Sequence, residues 1–210
     1  MDIYEALYTT RAMRRLKPDP IPHDVQARIL DAAIRAPNMD QQWRFILVDD
    51  AGIKSQLAQL YLLAWERLFA GYGLSLDDLL KSDSPQGRAA RSGNHLAHHF
   101  AEVPLVLIGF SLVRGGGSID QALWSAMLAA RADGVGSTWT GVLQTFFADE
   151  AMEILGVPKD DGWFMQGVIP MGYPLGRWRV APRKPVHEVA ARNSWQGDLG
   201  FTVPEPLWPK

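Results

Sequence analysis

No cysteine occurs in the 210 residues. Disulfides, thiolate catalysis and cysteine–metal sites are therefore excluded. No apolar run approaches the roughly 18 residues needed to span a bilayer. Asp2, Glu5 and Arg11 interrupt the opening stretch, so it does not read as a secretory signal. Neither sign of charge dominates: 21 Lys and Arg against 23 Asp and Glu leave a formal charge of −2. That balance gives no reason to expect nucleic acid or an anionic membrane as a partner. These absences fit a cytoplasmic protein. Catalytic signatures are missing too. There is no Gly-x-Ser-x-Gly, so a hydrolase triad has no support. Gly115-Gly116-Gly117-Ser118 is not followed by Gly-Lys-Ser/Thr, and no Gly-x-Gly-x-x-Gly follows a strand-like run. A P-loop and a dinucleotide fingerprint are thus both absent.

The composition that remains, 47% hydrophobic and 21% charged, is that of an ordinary globular domain. Asp2 is placed to cap a short helix whose apolar face is Ile3, Ala6 and Leu7. Pro18, Pro20 and Pro22 then force an extended path. A second helix is expected from about Pro22 to Arg35, with Val25, Ile29, Leu30, Ala33 and Ile34 on one face. Trp43 to Val48 reads as a strand. A long helix follows, carrying Leu57, Leu60, Tyr61, Ala64 and Leu68 as a stripe and ending at Gly71 and Gly73. Residues 72–92 show no regular pattern and read as a mobile excursion. Asn94 to Phe100 reads as helical. Val103 to Phe110 reads as a strand buried on both faces. Ser118 is expected to cap a helix, buried nearly all round, from about Ile119 to Ala132. Ser137 to Val142 reads as a second core strand, Ala148 to Leu155 as a helix, and Trp163 to Tyr173 as a third strand. Beyond residue 177 come five prolines and exposed-type tryptophans that cannot form a core of their own, so the tail is expected to lie on another surface, that of a second subunit.

Few groups carry obvious chemistry. His95, His98 and His99 cluster with Glu102 nearby, and His95 and His99 share a helix face. The Glu of a zincin is absent, however, and no third ligand is visible, so no metal is assigned and capping or packing roles are favoured. Two basic clusters stand far apart in sequence: Arg11, Arg14 and Arg15, and Arg183 with Lys184. Guanidinium groups are well shaped to hold a phosphate through paired hydrogen bonds. Trp139-Thr140-Gly141 could present backbone donors, and eight tryptophans suit the walls of a flat aromatic ligand. With no catalytic side chain in view, this combination suits a cofactor that brings its own chemistry.

From about residue 2 to 195 the chain resembles the nitroreductase family of flavin mononucleotide (FMN) oxidoreductases. The resemblance rests on Thr10-Arg11-Ala12-Met13-Arg14-Arg15-Leu16 followed by Asp19-Pro20-Ile21-Pro22, and on Ala36-Pro37-Asn38 with Gln41-Gln42-Trp43. It continues in the alanine-rich stretch Leu128 to Gly136, in Gly172-Tyr173-Pro174 and in Pro182-Arg183-Lys184-Pro185. It implies an α+β fold, a mixed but mostly antiparallel sheet flanked by helices, in an intertwined homodimer. One domain would span 1–195, with 196–210 as an extended tail packing on the partner subunit. By the same resemblance FMN would be held by Arg11, Ala12, Met13, Arg14, Asn38, Gln42, Trp139, Thr140, Gly141 and Arg183. Arg11, Arg14 and Arg183 would face its phosphate and ribityl side, and Gly141 N–H would donate to flavin N5. NAD(P)H would be the hydride donor and a small molecule, a nitroaromatic or quinone, the acceptor, in a ping-pong scheme with no catalytic side chain. Two departures stand out. Ala12 replaces the family's serine, and the loop 38–42 is shorter, lacks the usual glycines and contains Asp40. A non-catalytic flavin- or ligand-binding dimer is therefore the alternative.

Overall fold

The apolar runs read as strands pair with one another in a computed structural model that describes residues 1–71 and 75–209. β1 (Trp43–Val48), β2 (Leu105–Ser111), β3 (Gly136–Ser137) and β4 (Phe164–Gly172) form one sheet. Their order is β1-β2-β4-β3, and all three pairings are antiparallel. A parallel bridge between Ala12 and Ser137 makes the sheet mixed at its β3 edge. The helices are α1 (Ile3–Thr9), α2 (His23–Ala33), α3 (Ala51–Gly71), α4 (Leu76–Lys81), α5 (Pro85–His98), α6 (Ser118–Ala132), α7 (Val142–Phe146) and α8 (Ala148–Ile154). None of them is long and apolar enough to cross a membrane.

The chain divides into two compact units, Ala12–Arg177 and a second made of Met1–Arg11 with Trp178–Lys210. In the larger unit the sheet is covered on both faces. Alternation along β2 sends Leu105 and Leu107 into a cluster with Ile29, Ala33, Leu123 and Ala126 of α2 and α6. It sends Val106, Ile108 and Phe110 into another with Leu57, Tyr61, Leu96 and Leu143 of α3, α5 and α7. This double burial explains why β2 is apolar at nearly every position although its neighbours are antiparallel. Gly109 and Gly167 face each other across β2 and β4. A Cβ on either would come within 2.9 or 2.8 Å of the Leu123 side chain, so the glycine pair lets α6 approach the sheet.

The smaller unit has almost no interior. Asp2 Oδ1 accepts from Tyr4 N (2.9 Å), as the capping pattern predicts. The buried residues of α1 are Ala6 and Thr9, however, while Ile3 and Leu7 are 58% and 43% exposed. Of the expected face Ile3, Ala6 and Leu7, only Ala6 is therefore buried. The late segment runs extended beside α1: Ala181 N donates to Tyr8 O (3.4 Å), and the Tyr8 and Trp208 rings lie 5.9 Å apart.

Five further expectations change. Ser137 to Val142 is not a long strand: β3 ends at Ser137, and α7 begins at Val142. Residues 75–92 are largely helical, because Ser75 Oγ and Ser84 Oγ accept from Asp78 N and Gly87 N to cap α4 and α5, with Pro85 in the first turn of α5. The part of that excursion at 72–74, with Gly73, lies outside the described residues. Ser118 is the first residue of α6 rather than its cap, and Trp124 of that helix is 39% exposed, so α6 is not buried all round. Ile34 lies just past α2 and is 43% exposed.

Candidate functional site

After α1 the chain does not stay helical. It continues extended and is stitched to the edge of the sheet. Met13 N donates to Ser137 O (2.9 Å), Lys17 N to Tyr173 O (2.8 Å), and Leu175 N to Arg15 O (3.0 Å). Gly136 permits this approach, since a Cβ there would lie 2.9 Å from Met13 Cβ. In an extended segment, neighbours point to opposite sides. Met13 and Arg15 therefore face away from Arg14: Met13 is buried, Arg15 exposed and Arg14 half-buried. The arginine cluster is thus split by its own backbone geometry.

Arg14 is the distinctive member. Burial pushes its pKa down, and interaction with Tyr61 opposes that. Among the described residues no carboxylate pairs with it. A half-buried guanidinium without a counter-charge is unfavourable unless something outside the chain satisfies it. Tyr61 is 2% exposed, and its hydroxyl lies 2.9 Å from Thr140 Oγ1. Burial raises the Tyr61 pKa, while the Thr140 hydrogen bond and the Arg14 charge lower it. Thr140 is fixed at its backbone as well: its N–H donates to Val168 O (2.9 Å), and it accepts from Val168 N (3.3 Å). Arg14, Tyr61 and Thr140 therefore form one group, with Gly141 next in the chain.

Gly141 has an ordinary φ of −109°. A Cβ added to it would meet nothing closer than the Gln144 side-chain amide at 3.8 Å. Among the described residues its N–H reaches no acceptor. The half-buried Trp139 precedes this turn, and the buried hydroxyl of Thr138 has no partner among the described residues.

The structure thus brings Met13, Arg14, Trp139, Thr140 and Gly141 to one edge of the sheet, and Ala12 bridges Ser137 there. Asn38 and Gln42 lie in the loop before β1. Asn38 Oδ1 accepts from Asp40 N (3.0 Å) and Gln41 N (2.5 Å), while Gln42 is exposed. Gln41 takes the left-handed conformation, φ 56°, where no glycine is present. Arg11 and Arg183 belong to the smaller unit and are both exposed, Arg183 donating to Pro182 O (2.9 Å). The histidines are arranged among themselves. The His95 and His99 rings lie 4.3 Å apart, His99 Nδ1 is 2.9 Å from Glu102 Oε1, and His98 Nδ1 is 2.8 Å from Asn94 O. Burial, then His99 and Arg15, lower the His95 pKa. No metal-holding group of His, Asp or Glu is present among the described residues. Tyr61 escaped the sequence reading. It looks like one more apolar stripe position, and its partner is 79 residues away.

The fold is similar to that of oxidized iodotyrosine deiodinase bound to FMN and 3-iodo-L-tyrosine, with a TM-score of 0.71, 19% identity, and coverage of 92% of this chain and 100% of that one. It is also similar to the FMN-dependent nitroreductase NfnB from Mycobacterium smegmatis in complex with NADPH, with a TM-score of 0.66, 22% identity, and coverage of 89% and 95%. At these identities the likeness establishes the fold alone. The 5,6-dimethylbenzimidazole synthase of Rhodospirillum rubrum is 26% identical over 197 residues, covering 82% of each chain. The sequence model of the nitroreductase family matches residues 7–173, most of the chain, and this protein belongs to that family.

Proposed function

We propose that the protein is an FMN-dependent oxidoreductase that takes hydride from NAD(P)H and reduces a small aromatic acceptor, a nitroaromatic or a quinone, as a homodimer. Gly141 carries this reading. Neither backbone conformation nor packing within the chain requires glycine there. The missing side chain and the N–H without an acceptor instead suit the close approach of a flat ligand. Arg14 supports the same assignment, since an anionic or electron-rich group would supply the counter-charge that no described residue provides. Met13 and Trp139 would line the site, and the backbone at Ala12 would take over from the absent serine hydroxyl. Asn38 and Gln42 are assigned from the loop, and Arg11 and Arg183 are assigned to the phosphate.

When bound, the flavin would supply the redox chemistry, accepting hydride and passing it to the acceptor. The chain's part is to bind, orient and present donors, with Gly141 N–H and Arg14 favouring the reduced, anionic state. No side-chain acid or base is assigned. Similar proteins include a deiodinase and a dimethylbenzimidazole synthase, so a screen of acceptors accompanies the test.

The test uses purified protein. It should be yellow, or become so with FMN, and its visible absorbance should bleach with NADPH or NADH in the absence of oxygen. Colourless protein that cannot be reconstituted overturns the reading. Yellow protein that neither nucleotide reduces favours a non-catalytic flavin-binding dimer, the outcome to which the glycine-free loop at Gln41 points. Gly141→Ser sharpens the test. Serine is a preferred N-cap, so α7 keeps its start, and the melting temperature should hold while FMN binding falls sharply.

A further inference from the structure

We propose that Tyr61 is a positioning residue for this site, fixing the direction in which the Thr140 hydroxyl donates. The inference rests on the FMN reading above. Tyr61 lies in the middle of α3, and its ring stacks on Phe100 with centroids 4.5 Å apart and planes 23° apart. Its neighbours Leu57, Phe100 and Val168 are fully apolar and buried. A phenylalanine would fill that space equally well. The hydroxyl is therefore not there for packing, and a buried hydroxyl is unfavourable unless it is bonded.

Its partner, Thr140 Oγ1, is another hydroxyl rather than a backbone group in need of a bond. The pair therefore holds two O–H donors, of which only one is used between them. By geometry alone either oxygen could donate; the Arg14 charge, which acts on Tyr61, favours the phenol as the donor. A cation draws the phenol's lone pairs toward itself, leaving the Tyr61 O–H to donate to Thr140. The Thr140 proton is then left without an acceptor among the described residues. Thr140 is half-exposed, backbone-bonded to Val168 on one side and followed by Gly141 on the other. Two adjacent donors, Thr140 O–H and Gly141 N–H, are thus presented together, and Tyr61 holds the first in place. The ligand they suit has hydrogen-bond acceptors on the edge of a flat ring.

Tyr61→Phe tests this, because it removes only the oxygen. FMN titration by fluorescence should show a dissociation constant raised roughly three- to tenfold, the range for one net hydrogen bond. The bound flavin's midpoint potential should become more negative, a change that loss of packing alone would not produce. Thr140→Val should reproduce both changes, and the double variant should add little to either single one. Thermal melts check folding, and should Tyr61→Phe fail to fold, Thr140→Val reads the same contact from its other end. Wild-type affinity and potential in Tyr61→Phe, or effects that simply add in the double variant, would overturn the inference. Wild-type protein that takes up no FMN overturns the oxidoreductase reading and this inference with it. Wild-type protein that binds FMN beside an unaffected Tyr61→Phe overturns this inference alone.

Discussion

The two units of this chain use their apolar residues in opposite ways. Across Ala12–Arg177, Phe100, Leu107, Ile108, Leu123 and Val168 are all 0% exposed, on both faces of one sheet. In the unit built from the chain's two ends, Ile3 is 58% exposed, Val189 67%, Leu207 67% and Trp195 95%. Both units are rich in large side chains, so composition does not make the difference. Topology does. The larger unit has paired strands and helices long enough to present stripes to them. The smaller has one short helix and a proline-punctuated extended segment, which has no second layer to close against. A groove of about 850 Å³ lined by Leu7, Tyr8, Pro182, Pro206 and Leu207 runs through the smaller unit. Under the homodimer reading, a second copy covers this surface.

The comparison breaks most easily in the large core. Leu107→Ala should destabilise the fold by about 2–5 kcal/mol, because the site is closed on all sides and collapses only in part. Chemical denaturation measures it. A cost near that of a surface substitution would mean that the two units are not as different as their exposures say.

Next in size is Arg14→Met. A charge-assisted contact contributes roughly 1.5–3 kcal/mol, so FMN affinity should fall roughly ten- to hundredfold. The melting temperature of the apoprotein should hold or rise, since a desolvated cation is replaced by an apolar side chain of similar length. Unchanged affinity would return Arg14 to the role of an ordinary surface cation.

Trp195→Ala should leave unfolding of the large core within about 0.5 kcal/mol of wild type. If a second copy covers Trp195, as the dimer reading holds, sedimentation at micromolar concentration should show dimer for wild type. The variant's association should be weaker by about 1–2 kcal/mol, as for a buried aromatic anchor. A wild-type monomer under these conditions would remove the interface from the proposal.

Much of the large unit was legible. β1, β2 and β4 announced themselves as apolar runs ended by polar or glycine residues, and α6 by its alanine-rich stripe. The errors have separate physical causes. Ser137 to Val142 has strand composition, yet continuous pairing with β4 stops at Ser137, and only an isolated bridge from Thr140 to Val168 follows before α7 begins. Periodicity gave α1 an apolar face but not which face its own unit buries. The caps at Ser75 and Ser84 were readable and were missed, because the stripes behind them are weak: no residue of α4 is buried. Within the candidate site, Arg14 and Gly141 were marked by local pattern. Tyr61 was not, because its role arises from a contact that the fold makes between α3 and the segment after β3.

The smallest effect falls at Gln41. The loop from Asn38 to Gln42 contains no glycine, yet the chain still turns there through φ 56° at a residue with a side chain. Asn38 stabilises the turn by accepting from Asp40 N and Gln41 N, and Trp43 N closes it by donating to Gln41 O at 2.8 Å. A left-handed non-glycine residue costs about 1–2 kcal/mol in backbone energy. Glycine relieves that cost but gains entropy in the unfolded chain. The net expectation for Gln41→Gly is stabilisation by about 0.5–1 kcal/mol, read as a small rise in melting temperature. The same substitution separates two uses of the loop. If the turn only connects α2 to β1, FMN affinity should not change while stability rises. If Gln41 is held in strain to present Gln42 to the ligand, affinity should fall as the loop relaxes, and stability and binding would then move in opposite directions at one residue.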